Sequence, residues 1–174
     1  MATYKIDPTH SEIKFKVKHL MITNVTGEFK SFDATMEAEK DDFSDAKISF
    51  EADVDSINTN QEQRDTHLKS DDFFNAEKFP KLTFKSKELK HVSGSDYKLT
   101  GDLTIRDITK EVTLDVEFGG RMVDFYGQDK AGFELTGKIS RNEFGLKWSA
   151  VTEAGGVVVS DDIKLQLAAQ MVKQ

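Results

Sequence analysis

The side chains able to do acid–base chemistry near neutral pH are four histidines, His10, His19, His67 and His91. Their spacing contains no His-x-x-x-His pair, and the chain has no cysteine. No pattern for a metal site therefore forms, and disulfides and thiolate chemistry are excluded. His19 falls on the apolar side of an alternating run. There it either hydrogen-bonds within a core or donates to the oxygen of a ligand. His67 stands in a polar stretch and reads as a surface or capping residue rather than a base. No Gly-x-Ser-x-Gly elbow, phosphate loop or dinucleotide fingerprint is present. Nothing pairs a nucleophile with a base, so no catalytic residue, metal or cofactor is assigned. What remains is cationic. Arg64 and Lys69 lie in one unusual stretch and Arg141 and Lys147 in another, and either pair could meet a phosphate group.

The first stretch, Arg64 to Pro80, reads RDTHLKSDDFFNAEKFP. Thr59-Asn60-Gln61-Glu62 before it has the form of a capping box, which predicts a short helix over residues 60–69. That helix is polar apart from Leu68 and cannot anchor itself. Phe73, Phe74 and Phe79 behind it can. The segment is either a lid over the mouth of a β-structure or a solvated crossover whose phenylalanines only fill core. The second stretch, Arg141 to Trp148, reads RNEFGLKW.

These stretches interrupt strands. Ile13, Phe15, Val17 and His19 alternate with Glu12, Lys14, Lys16 and Lys18, a period of two that separates an apolar from a charged face. Ala46, Ile48, Phe50, Ala52 and Val54 do the same. So do Leu82 and Phe84; Leu99, Gly101, Leu103 and Ile105; Val112, Leu114, Val116 and Phe118; Ala131, Phe133, Leu135, Gly137 and Ile139; and Ile163 to Met171. Inward residues change parity between Phe29 and Phe32, which predicts a bulge near Lys30-Ser31. Gly119-Gly120 reads as a strand break, and Met122 to Tyr126 has no period. About eight strands, each apolar on one face, predict one all-β antiparallel system spanning residues 1–174 as a single domain. Such a meander either packs as a sandwich or closes on itself, and a closed barrel of eight strands encloses room for side chains or one slim ligand. The small inward residues among Phe and Leu are compatible with a tunnel or with an interdigitated, filled interior.

Composition narrows the partners. A net charge of −7 argues against nucleic acid, and disfavours general adhesion to anionic membranes while leaving room for a local basic patch. No apolar run is long enough for a transmembrane helix. The sequence as given opens without an apolar signal core, so the expectation is a cytoplasmic protein, or a periplasmic one if a signal has been removed.

Taken in order, YKIDPTHSEIKFKVKHL, VTGEF, RDTHLKSDDFFNAEKFP, GDLTIRDITKEV and YGQDKAGFELTGKISRNEFGLKW, with the Gly155-Gly156 turn and final strand, resemble the YceI-like, or polyisoprenoid-binding, family. The resemblance runs from about Tyr4 to Ala169. One departure is Asp107, at a turn position where the family often has glycine. The resemblance implies an elongated, lipocalin-like eight-stranded barrel with a helical segment at one end. It implies an isoprenoid lipid or quinone as ligand, no catalytic activity, and a homodimer as an open option. The residues enclosing such a tail would be Phe15, Val17, His19, Ile48, Phe50, Ala52, Leu68, Phe73, Phe74, Phe84, Leu103, Leu114, Phe133 and Leu135. Arg64, Lys69, Arg141 or Lys147 would meet its head group. Two other readings stay open: an enzyme acting on an isoprenoid or quinone through His19 or His67, and a filled barrel that presents its acidic outer face to a protein.

Overall fold

The computed structural model describes residues 1–20, 22–146 and 159–174. Eleven strands, β1 (Ala2–Ile6), β2 (Glu12–His19), β3 (Thr23–Phe29), β4 (Phe32–Ala38), β5 (Lys47–Asp53), β6 (Ile57–Asn58), β7 (Lys81–Ser93), β8 (Asp96–Ile105), β9 (Ile108–Val123), β10 (Asp129–Ser140) and β11 (Val159–Lys173), form one antiparallel sheet. The sheet closes where β1 pairs with β11, with Tyr4 opposite Lys173 and Ile6 opposite Met171. The wall has eight strand positions, because three of them are occupied by interrupted strands: β1 with β2, β3 with β4, and β5 with β6. The eight-stranded barrel that the family resemblance implies is the fold.

The interruptions line up as a crease across three neighbouring strands. In the first, Pro8 cannot donate to a ladder, and Asp7 accepts from the Thr9 N–H (3.0 Å) and the Thr9 hydroxyl (2.7 Å), with His10 Nδ1 at 2.8 Å. The His10 contact, then the Thr9 hydroxyl, hold the Asp7 carboxyl at about 2, below its ordinary value. In the second, the change of parity at Lys30-Ser31 is a corner rather than the bulge expected there. Phe29 pairs with Ile57 on β6, whereas Phe32 pairs with Ala52 on β5, so the chain changes direction without ever lapping itself. The corner is tied to the third interruption by Lys30 N–H to Ser56 O (3.3 Å) and Asp53 N–H to Ser31 O (2.9 Å).

Two further expectations change. Gly119-Gly120 does not break a strand: β9 runs on to Val123, and the register shift between Gly132 and Phe133 makes Gly119 a bulge. The aperiodic Met122–Tyr126 segment is the tip of the β9–β10 hairpin, where Met122, Val123, Phe125 and Tyr126 stand outside the barrel and have no inner face to alternate against.

The helix α1 (Glu62–Leu68) is shorter than 60–69, and it is not capped as expected. Thr59 reaches Asp65, not Glu62: its N–H (2.9 Å) and hydroxyl (2.5 Å) both donate to Asp65 Oδ1. Asn60 at φ +63 turns the chain in between. Thr59, three positions before the helix, therefore donates to a carboxylate at the middle of the helix, a geometry set by that left-handed residue.

Candidate functional site: an apolar bore

Inside the barrel lies a cavity of about 230 Å³. That exceeds the roughly 150 Å³ of an apolar cavity able to hold a benzene, and it falls below the roughly 300–1,000 Å³ of sites for drug-sized molecules. Its lining on β11 comprises Val159 and every second residue from Ile163 to Met171. The eight residue steps from Ile163 to Met171, at about 3.4 Å each on strands tilted by about 40°, alone span roughly 20 Å. The space is slender and long, which suits a chain better than a ring.

Three glycines explain why thirteen phenylalanines and many leucines leave it open. A β-carbon at Gly27 would collide with the Phe15 ring, one at Gly101 with the Phe84 ring, and one at Gly137 with Leu114. Each large side chain therefore lies flat on a neighbouring strand over a glycine instead of reaching across the axis. Packing of this kind covers the wall and preserves the lumen.

All described lining residues but one are apolar; the exception is Arg141. It directly follows β10 and is 4% exposed. Its Nε donates to Ser160 O (2.9 Å), and its two terminal nitrogens to Leu146 O (2.6 Å) and Val159 O (3.1 Å). Burial pushes its pKa down, and the Asp161 carboxylate opposes that shift. A guanidinium remains charged in proteins, so Arg141 puts a fixed cation at one end of an apolar tube. Low-dielectric walls focus its field along the lumen.

The same end carries the lid. Leu68, Phe73 and Phe74 line the cavity. They sit where β6 stops after two residues, paired only with β3 among the described strands, so the segment 59–80 covers a gap in the wall beyond the start of β7. Phe74 meets Phe29 edge-on (ring centroids 6.0 Å apart), and Phe29 meets Phe15 (5.7 Å). The β8–β9 turn holds the segment from outside. Arg106 donates to Asp71 O (3.0 Å), Phe73 O (2.9 Å) and Asp71 Oδ1 (3.0 Å). Phe79 is not buried with Phe73 and Phe74 as expected; it lies half-buried beneath the Arg106 guanidinium at 5.7 Å. In that turn the left-handed residue is Arg106, at φ +56, rather than Asp107.

The opposite end is stoppered by Phe43, from the β4–β5 loop. It is 1% exposed and meets Tyr4, Phe118 and Phe133 at 5.5, 5.6 and 5.5 Å, with Arg121 over its face at 5.4 Å. Among Asp41, Asp42 and Ser44, this phenylalanine reads in sequence as part of a turn.

Of the fourteen residues expected around a ligand, all but His19 and Ala52 line the cavity. His19 is half-buried at the end of β2 and lies outside the lining, although Val159 opposite it belongs to the lining. Ala52 is buried, but against the wall between Phe32 and Leu82. The inner row of β11 had the same alternation and belongs with the lining. Of the three described cations, Arg64, Lys69 and Arg141, Arg141 lines the bore and the other two do not. Arg64 braces the lid, its Nε donating to Thr59 Oγ1 (2.8 Å) and a terminal nitrogen to Thr59 O (2.7 Å). Lys69 lies 3.5 Å from Asp55, and Lys147 lies outside the described residues.

A sequence profile of the YceI-like domain matches residues 4–171. A UPF0312 protein of Staphylococcus aureus (strain USA300) is 40% identical over 171 residues, covering 98% of this chain and 97% of the relative. The crystal structure of Burkholderia cenocepacia BcnA superposes with a TM-score of 0.83 at 21% identity, over 95% of this chain and 98% of that one. A polyisoprenoid binding domain from Saccharophagus degradans, implicated in plant cell wall breakdown, superposes with a TM-score of 0.70 at 14% identity, over 98% of each chain. Both structures share the barrel fold.

Proposed function

This chain belongs to the YceI-like domain family, and from that premise we propose that it binds one long isoprenoid or related amphiphile, such as a polyprenyl phosphate or a quinone tail, to carry, store or sequester it. The observation that carries the reading is the bore itself: slender, apolar along its described length, with one lining cation near the lid. The description of one structural neighbour as polyisoprenoid-binding supports the choice of ligand. Each 100 Å² of tail surface removed from water would gain about 2.5 kcal/mol before ordering costs. The tail would run down the lumen toward Phe43, with its polar end at the Arg141 end. The described lining includes no Ser, Thr, His, Lys or carboxylate side chain, so the bore is read as a container rather than a place of reaction.

Mass spectrometry of organic extracts, followed by titration with polyprenyl phosphate, tests this. The wild-type protein should release or take up one lipid per chain. Leu135 stands mid-bore between Val116 and Leu167. Leu135→Trp should lower uptake at least about tenfold while the protein still unfolds cooperatively, since the indole fills existing space. An empty extract together with no uptake sinks the proposal.

A further inference from the structure

We propose that the outer face of β2, β11 and β10 at the lid end is a docking surface for an anionic lipid bilayer, with Leu20 and Ile22 as its apolar tip. The inference rests on the reading that the bore takes a membrane lipid. On this face Lys16 is directly opposite Lys164, and Lys164 is directly opposite Lys138, so three lysines form one row across three strands. Lys14 and Lys18 flank the row on β2. Like charges placed opposite one another destabilise a sheet. Elsewhere on the barrel an acid intervenes: Lys98, although opposite Lys90, pairs with Asp115, and Lys87 bridges Asp102 (3.4 Å) and Glu111 (2.8 Å). In the row only the margin is neutralised, Lys138 by Asp162 (3.2 Å) and Lys14 by Glu12 (3.3 Å). Lys16, Lys18 and Lys164 have no carboxylate within ion-pair distance among the described residues. A chain of net charge −7 thus places three lysines without an ion pair on two neighbouring strands, two of them directly opposite each other.

The patch adjoins the hairpin between β2 and β3, where Ile22 is 80% exposed and Leu20, at φ +54, is 40% exposed. Strand direction puts this tip at the same end of the barrel as α1, Phe73 and Arg141. Lysines on a flank and bare aliphatic side chains at the tip match a phosphate-bearing surface over a hydrocarbon layer. Docked so, the lid would face the layer from which a lipid would be drawn.

Co-sedimentation with vesicles of phosphatidylcholine, alone and mixed with phosphatidylglycerol, tests the docking. Binding should require the anionic lipid and weaken with salt. At about 1 kcal/mol per lysine, Lys16→Gln or Lys164→Gln should each weaken it about fivefold, and K16Q/K18Q/K164Q together about a hundredfold. Ile22→Ser should weaken it further, and Lys81→Gln, whose lysine already meets Glu51 at 3.1 Å, should not. Equal binding of all variants, or no vesicle binding while the patch captures an acidic protein, overturns the proposal. Uptake of detergent-dispersed polyprenyl phosphate by the same variants separates the two readings: uptake without vesicle binding rejects the docking alone, and salt-sensitive, lysine-dependent vesicle binding without uptake upholds it while rejecting the bore.

Discussion

At one end of the bore Phe43 is held on all sides by aromatic rings and an arginine; at the other, Phe73 and Phe74 face the cavity with one surface and are backed by a loop and a seven-residue helix. Both ends are closed by phenylalanine from a connection rather than a strand. Phe43 sits at φ +60, a conformation costing about 1–3 kcal/mol for such a residue. Ring contacts worth about 0.5–1.5 kcal/mol each offset it. The lid phenylalanines have a void on one side and so forgo part of the dispersion energy of a packed ring. The lesson is that the Phe43 end is a plug integral to the core, and the Phe74 end is the weaker closure, held by hydrogen bonds from Arg106.

Changes at the two ends should therefore differ in kind. Phe43→Ala should cost about 3–5 kcal/mol, read as a lower urea midpoint. Phe74→Ala should cost roughly half as much, because the cavity already borders the ring; equal costs would erase the distinction. Next in size is the latch. Arg106→Met removes three donor contacts to the lid and should destabilise its closed position by about 1–2 kcal/mol. Release of a bound polyprenyl lipid in stopped-flow exchange should then quicken about tenfold, with little change in the urea midpoint. An unchanged release rate would move the gate elsewhere. The smallest effect is a control belonging to neither end. Asp7, at the crease, has its pKa lowered to about 2. Its stabilisation is therefore whole above the unfolded value near 3.8 and is lost as pH falls through about 2. Asp7→Asn should cost about 1 kcal/mol near neutrality, after allowance for solvent screening. In thermal melts the gap to wild type should close toward about pH 2, with lipid release unaltered.

Where one face of a strand meets the bore and the other meets water, the pattern was legible. Phe15 and Val17 on β2, Ile48 and Phe50 on β5, and Phe133 and Leu135 on β10 all line the cavity. Reading failed where a residue's surroundings come from distant segments. Phe43 has no periodic neighbours and sits in an acidic turn, and only Tyr4, Phe118 and Phe133 make it core. Thr59 opens a well-formed capping-box pattern, yet Asn60 turns it toward Asp65. Ala52 and His19 have the right parity, but neither lines the lumen: Ala52 is packed into the wall between Phe32 and Leu82, and His19 is half-buried at the end of β2.

The amino-acid sequence by itself determined an antiparallel all-β chain with one apolar face per strand, because alternation is a property of neighbours along the chain. Whether the interior is hollow was decided only in three dimensions. A glycine inside a barrel either admits a neighbour's side chain across the axis or lets it lie flat on the wall. That choice depends on which strand comes to rest beside it: β2 beside Gly27, β7 beside Gly101 and β9 beside Gly137.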